Sequence, residues 1–85
     1  MLRLLGYHID SEVLVHSGRI DVVITTERHI YVVEFKLGDA ASAMAQLRER
    51  QYHLKYMASG KHVLLLGIGF DAAKRNIGDF LVEEV

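Results

Sequence analysis

The chain has 85 residues, 51% of them hydrophobic and 25% charged, and its formal net charge is −1. These values predict one small folded domain over residues 1–85, and they exclude a disordered chain and a globally basic nucleic-acid-binding protein. The lack of cysteine excludes disulfides and thiolate metal sites. No apolar run approaches the roughly 20 residues of a membrane span, and no signal peptide is recognisable, so a cytoplasmic protein without membrane contact is expected.

The first third of the chain predicts β-strands. Residues 2–9 are apolar without a clean period and are expected to lead into a strand. Alternation over residues 11–16 predicts a first strand, which a turn at Ser17-Gly18 ends. Residues 20–25 and 30–37 are rich in β-branched and aromatic side chains, which predicts strands two and three, the third being central because it is apolar on both faces.

Charged residues interrupt these apolar strands. An ionised carboxylate in a buried strand is costly unless it is paired, hydrogen-bonded or bound to a metal. If strands two and three pair antiparallel around a loop centred between residues 27 and 28, Asp21 falls opposite Glu34. Arg19 then falls opposite Lys36, and all four groups converge on one face, with opposed Cβ atoms roughly 5 Å apart. A loop of odd length would shift this register.

The two carboxylates predict a cation site. Carboxylates at this separation repel each other unless a cation lies between them. Hard oxygen ligands with open positions suit Mg²⁺ or Mn²⁺. The alternative for Asp21, Glu34 and Lys36 is a cross-strand salt-bridge cluster without a metal. Arg19 is expected to pair with a nearby carboxylate rather than with a phosphate.

A long helix is predicted to begin after Asp39, which is a suitable N-cap, and to end near Ser59, before Gly60. One stripe at helical spacing is expected to lie on the sheet. It comprises Ala40, Ala43, Met44, Leu47, Gln51, Leu54 and Ala58. Tyr52 and Tyr56 lie roughly opposite this stripe, where they are either exposed or mark the docking of another chain or domain.

The last third of the chain predicts two more strands. The apolar run 62–70 predicts a buried fourth strand, and the order strand–helix–strand predicts that it runs parallel to the third with a right-handed crossover. Gly67 and Gly69 within it indicate close packing rather than a phosphate loop. Residues 71–75 predict a turn or a short helical piece, and residues 77–85 predict a final edge strand.

Four segments together resemble the PD-(D/E)XK nuclease superfamily: G-R-I-D-V-V-I, Y-V-V-E-F-K-L, Q-x5-Y and G-K-H-V-L-L-L-G-I-G-F-D. The resemblance covers roughly residues 6–76 and is closest to the branch found at the C-terminus of bacterial AAA-ATPase-like proteins. It implies an α/β, restriction-endonuclease-like mixed sheet, in which strands one to three are antiparallel and a helix crossover leads to a parallel strand four.

The resemblance also implies roles for single residues. Asp21 and Glu34 match the acidic metal ligands, and the backbone carbonyl of Phe35 is commonly a third ligand. Lys36 matches the lysine that positions or activates the attacking water and stabilises the phosphorane charge. Gln46 matches a helix glutamine that some branches use near the nucleic acid or the metal. The implied activity is Mg²⁺- or Mn²⁺-dependent hydrolysis of nucleic acid, with DNA expected.

The chain departs from the family pattern at its start. The family fold begins with a helix that often supplies a further acidic ligand, and too few residues precede the first strand here for most of that helix. Glu12 is acidic but does not match the helix position. The departure predicts either a homodimer that covers the open sheet face or a chain truncated at its N-terminus. It also keeps open a second function, a catalytically inactive binding or assembly module that is the remnant of an ATPase-linked protein.

Overall fold

The computed structural model describes residues 2–4, 7–15 and 18–85. Their elements, in chain order, are β1 (Leu2–Leu4), β2 (Tyr7–Val15), β3 (Gly18–Thr25), β4 (His29–Leu37), α1 (Ala40–Arg50), a 3-10 helix (Tyr52–Ser59), β5 (His62–Asp71) and β6 (Asn76–Glu84). The six strands form one sheet in the order β1-β2-β3-β4-β5-β6. Strands β4 and β5 are parallel, and all other neighbours are antiparallel. The predicted turn residue Ser17 lies outside the described residues.

The β3–β4 hairpin has a two-residue loop. The N–H of Thr26 donates to the carbonyl of His29 at 2.8 Å, which leaves two residues between them. Backbone partners in this hairpin have numbers that sum to 55, up to Val22 opposite Val33. This is the register predicted from an even-length loop centred between residues 27 and 28.

Helix α1 packs on the middle of the sheet. The side chain of Asp39 caps it by accepting the N–H of Ser42 at 2.8 Å, as its residue type predicts. Met44 and Leu47 are fully buried in a core that also contains the strand residues Val32 and Leu65. These buried apolar side chains supply most of the driving force for docking the helix.

Two glycines of β5 let the start of α1 come close to the sheet. A Cβ built on Gly67 would lie 2.9 Å from both the carbonyl oxygen of Ala40 and the backbone nitrogen of Met44. A Cβ on Gly69 would lie 2.6 Å from the nitrogen of Ala40. These distances are too short for a real side chain, so the glycines serve close packing.

The prediction of one continuous helix to about Ser59 is wrong, because α1 ends at Arg50 and a separate 3-10 helix covers Tyr52–Ser59. Gln51 adopts a left-handed conformation (φ 51°, ψ 41°), and its N–H donates to the carbonyl of Leu47 at 3.1 Å. The change of direction buries Tyr52, which is 3% exposed. The predicted stripe therefore fails in its second half, where three members are exposed instead of packing on the sheet. They are Gln51, Leu54 and Ala58.

The opposite face of the sheet carries exposed apolar side chains. Alternation along the strands places Phe35 and Leu37 of β4 and Phe80 and Val82 of β6 on the face away from α1. Leu37 is 75% exposed and Phe80 64%. The described helices both contribute to the core on the other face. None of the helices in the described chain is long and apolar enough to cross a membrane.

Candidate functional site

The predicted acidic pair lies where the β3–β4 ladder ends. Backbone pairing stops at Val22 opposite Val33, and the side chain of Asp21 makes the next link. Its Oδ2 accepts the N–H of Phe35 at 2.9 Å. Because the N–H and C=O of one strand residue point toward the same neighbouring strand, the carbonyl of Phe35 also points toward β3. The structure therefore brings the carboxylate of Asp21 and the backbone of Phe35 together.

Glu34 is a buried carboxylate with one unpaired oxygen. It is only 4% exposed. Its Oε1 accepts a hydrogen bond from Nε2 of Gln46 at 2.7 Å, whereas its Oε2 is buried without a hydrogen-bond partner. Burial and the negative charge of Asp21 raise the pKa of Glu34 to about 7, against the opposing effect of the Lys36 ammonium group. An unpaired buried oxygen of this kind is unfavourable, and a bound cation would remove that cost.

Lys36 and Gln46 flank Glu34 from two elements. Lys36 follows Glu34 by two residues on β4, so the two side chains share a face of the sheet. Lys36 is half-buried, as is Gln46 on α1. The predicted site residues Asp21, Glu34, Lys36 and Gln46 thus lie around one point between β3, β4 and α1.

Arg19 does not join the other three charged groups of the predicted cluster. Its Nη1 lies 3.7 Å from Oε1 of Glu12, and both side chains are largely exposed. Because the β3–β4 ladder ends at Val22, no backbone pairing holds Arg19 opposite Lys36. The prediction that Arg19 pairs with a nearby carboxylate is confirmed.

Glu12, which does not match the acidic helix position of the family, lies beside the site on β2, and its sequence position does not predict this place. It falls opposite Asp21 in the β2–β3 register, between the pairs Ser11–Val22 and Val13–Ile20. Its φ of 54° lies in the left-handed region, which is unusual for a non-glycine residue in a strand.

Strand β3 is distorted at the same level. Ile20 and Val23 both belong to the core, although residues three apart in a regular strand point to opposite faces. Strand β3 therefore changes face near Asp21. Local irregularities of this kind change the direction of side chains next to functional sites. Nothing in the sequence around Glu12 or Asp21 predicts the distortion of β3.

The donor set suits a hard divalent cation. Within residues 2–4, 7–15 and 18–85, no cluster of three His, Cys, Asp or Glu side chains could hold a metal ion. Asp21, Glu34 and the carbonyl of Phe35 offer oxygen donors only. Mg²⁺ is commonly held by one or two carboxylates and keeps several waters, whereas structural zinc sites need four protein ligands. The arrangement fits Mg²⁺ or Mn²⁺.

The comparisons with known proteins show the family of the chain. A family model described as the PD-(D/E)XK nuclease superfamily matches residues 1–80. The chain belongs to the PD-(D/E)XK nuclease superfamily. PD-(D/E)XK nucleases generally use divalent metals and act on nucleic acid. The mixed sheet with its two helices is compatible with the α/β fold of this superfamily.

One relative of this PD-(D/E)XK chain is much longer than the chain itself. It is the "Uncharacterized protein in vnfD 5'region" of Azotobacter chroococcum mcd 1, which is 36% identical over 84 residues. The match covers 95% of this chain but 16% of the relative. No solved structure matches the chain.

Proposed function

We propose that the chain is a metal-dependent nuclease domain that hydrolyses phosphodiester bonds in nucleic acid, with DNA as the expected substrate. The observation that carries this proposal is Glu34, whose Oε2 is buried without a partner next to a second carboxylate. The ionised form of this arrangement is unfavourable, and it is stabilised either by a proton on Glu34 or by a divalent cation shared with Asp21. Asp21, Glu34 and the carbonyl of Phe35 would hold the ion, Mg²⁺ or Mn²⁺.

Each protein group has a separate task in this proposal. A bound ion supplies positive charge to the scissile phosphate and lowers the pKa of a bound water. The ammonium group of Lys36, on the same face as Glu34, orients the attacking water and stabilises the anionic transition state. Gln46 donates a hydrogen bond to Oε1 of Glu34, which leaves Oε2 available to the metal. Gln46 is therefore a positioning residue.

The proposal is tested with Lys36→Ala. The variant should retain its fold by circular dichroism and bind Mn²⁺ in isothermal titration, because neither carboxylate changes. Cleavage of a DNA substrate with Mg²⁺ should fall by about 10²- to 10³-fold, the loss typical for one group that stabilises the transition-state charge. Lys55→Ala, an exposed lysine on the 3-10 helix, is the control. Equal cleavage by both variants would discard the mechanism.

A second candidate is a nuclease-fold assembly module without catalysis, related to modules at the C-terminus of AAA-ATPase-like proteins. The uncovered sheet face favours it, since Leu37 and Phe80 are strongly exposed there and contiguous apolar patches mark interaction sites. In this form the face is covered either by a second copy in a homodimer or by another part of a longer protein. Light scattering with Mn²⁺ titration separates the candidates: a stable dimer without metal binding favours the module, and a metal-binding monomer refutes it.

A further inference from the structure

We propose that the turn between β5 and β6, residues 72–75, holds the backbone of the nucleic acid substrate through Lys74 and Arg75. The inference rests on the proposed nuclease function and deepens it by naming the substrate contact. It assigns phosphate binding to a part of the chain that supplies no metal ligand. The turn places two cationic side chains next to each other in a chain whose net charge is −1.

The register of the sheet places this turn at the edge where the site lies. Strand β4 runs parallel to β5, with Lys36 opposite Gly69 and Leu37 opposite Phe70. The N–H of Gly38 donates to the carbonyl of Phe70 at 3.0 Å, so β4 and β5 end side by side. The chain then turns immediately after Asp71.

The separation from Lys36 fits a nucleic acid strand. With a rise of about 3.3 Å per residue and strands about 4.8 Å apart, the turn lies roughly 12 Å from the backbone of Lys36. Successive phosphates of one DNA strand advance by about 3.4 Å along the helix axis. Because phosphates also wind around the axis, their direct separation exceeds this rise, and a strand whose scissile phosphate is at Lys36 would bring a phosphate about two nucleotides away to the turn.

The two cations of the turn are free to meet a ligand. Lys74 and Arg75 are both exposed, and within residues 2–4, 7–15 and 18–85 no ion pair involves either one. The acidic residue that precedes the turn, Asp71, is directed into the turn itself. Oδ1 of Asp71 accepts the backbone N–H of Ala73 at 3.0 Å and that of Lys74 at 3.2 Å.

Other acidic groups at this edge are also held by backbone amides. Asp39 accepts the N–H of Ser42 at 2.8 Å, and Asp79 accepts the N–H of Ala40 at 3.0 Å. These bonds fix both carboxylates at the start of α1, and no ion pair within the described chain joins them to the turn.

Three other cations of the described chain are engaged elsewhere or lie far from this edge. Arg48 binds Glu83 at 2.6 Å, between α1 and β6. Nζ of Lys61 donates to the carbonyl of Thr26 at 2.7 Å, at the opposite end of the sheet. Arg28 lies in that same distant loop. Apart from Lys36 at the site itself and Arg19, which lies 3.7 Å from Glu12, Lys74 and Arg75 are the cations that the described chain places at this edge.

The test removes both charges from the turn and compares the result with a matched removal elsewhere. Lys74→Ala/Arg75→Ala is combined with Lys36→Ala, so that binding of a labelled DNA duplex is measured in Mg²⁺ without cleavage. The control is Arg28→Ala/Lys55→Ala in the same background, which also removes two exposed cations. Fluorescence anisotropy gives Kd over a range of salt concentrations, and Mn²⁺ titration with circular dichroism checks that the site and the fold persist.

The turn variant should bind the duplex about tenfold more weakly, and the slope of log K against log salt should fall by roughly 1.8, the value for two lost phosphate contacts. Its Mn²⁺ affinity should be unchanged, and the control should keep the parental Kd. Equal Kd values in the two double variants would overturn the inference while leaving the nuclease function intact. Failure of the wild-type chain to cleave DNA with Mg²⁺ would instead overturn the proposed function.

Discussion

Replacing Glu34 by Gln should make the metal-free protein more stable at pH 8 while abolishing metal binding. Glutamine has the shape of glutamate, and its carbonyl oxygen can still accept the hydrogen bond that Gln46 donates at 2.7 Å. The substitution therefore leaves the packing of this buried position intact and removes its charge. A stability gain together with a functional loss is typical of a residue whose placement serves binding rather than folding.

The size of the effect follows from the pKa of Glu34. Burial, with the charge of Asp21, raises that pKa from 4.5 to about 7. Each unit corresponds to about 1.36 kcal/mol, so the ionised carboxylate should destabilise the folded chain by about 3 kcal/mol relative to its neutral form. The folded state binds this proton more tightly than the unfolded state. The stabilisation that comes from the proton on Glu34 is therefore fully present below pH 4.5 and is lost as the pH rises through 7.

The assay is urea denaturation in EDTA at pH 4.5 and pH 8. Glu34→Gln should match the wild type at pH 4.5 and exceed it by up to about 3 kcal/mol at pH 8. Glu49→Gln, which alters an exposed carboxylate on α1, should show no such change with pH. The reasoning is refuted if Glu34→Gln is the less stable protein at pH 8, or if its difference from the wild type is the same at both pH values.

The same group should make metal binding depend on pH. With a pKa of about 7, Glu34 is about 9% ionised at pH 6 and about 91% at pH 8, and metal ligands must be deprotonated. Mn²⁺ affinity of the wild type should therefore rise about tenfold between these pH values. A pH-independent Mn²⁺ affinity would contradict the combination of a raised pKa and a ligand role for Glu34.

Two further comparisons test the packing around the site. Leu47→Ala should cost about 2–5 kcal/mol of the free energy of unfolding, and Leu54→Ala close to none, because Leu47 is fully buried and Leu54 is 58% exposed; equal losses would argue for a helix that continues past Arg50. Gly69→Ala should lower Tm, with a cost of about 1–3 kcal/mol, because its Cβ would meet backbone atoms. Gly78→Ala, whose Cβ would have 3.6 Å to its nearest neighbour, should leave Tm nearly unchanged, and similar Tm values would contradict the close-packing argument.

The β3–β4 hairpin could be predicted because its determinants are local. The β-branched runs define two strands, and an even-length loop between them sets the register. Two residues lie between the hydrogen-bonded Thr26 and His29, and the observed pairs follow that register. The convergence of Asp21 and Glu34 then depends on the alternation and pairing of strands.

The end of α1 could not be predicted because tertiary packing decides it. Gln51 has good helix propensity, and nothing in its sequence neighbourhood favours a left-handed conformation. Continuing the helix would place Tyr52 on the outer side. In the fold, Tyr52 lies in the core instead, and a Cβ on Gly18 would come within 3.2 Å of its hydroxyl oxygen. Burying a large aromatic side chain outweighs the small cost of one left-handed glutamine.

The link between the glycines of β5 and the acidic site emerges only from the fold. Gly67 lies opposite Glu34 in the β4–β5 register, and α1 approaches Gly67 so closely that a Cβ there would lie 2.9 Å from the nitrogen of Met44. Gln46 is two residues further along the same helix and reaches Oε1 of Glu34 at 2.7 Å. A side chain at position 67 would lift the helix away from the sheet and lengthen that bond. Because Gly67 has no side chain, α1 can lie close enough to the sheet to bury Glu34. This burial is the main cause of the raised pKa of Glu34.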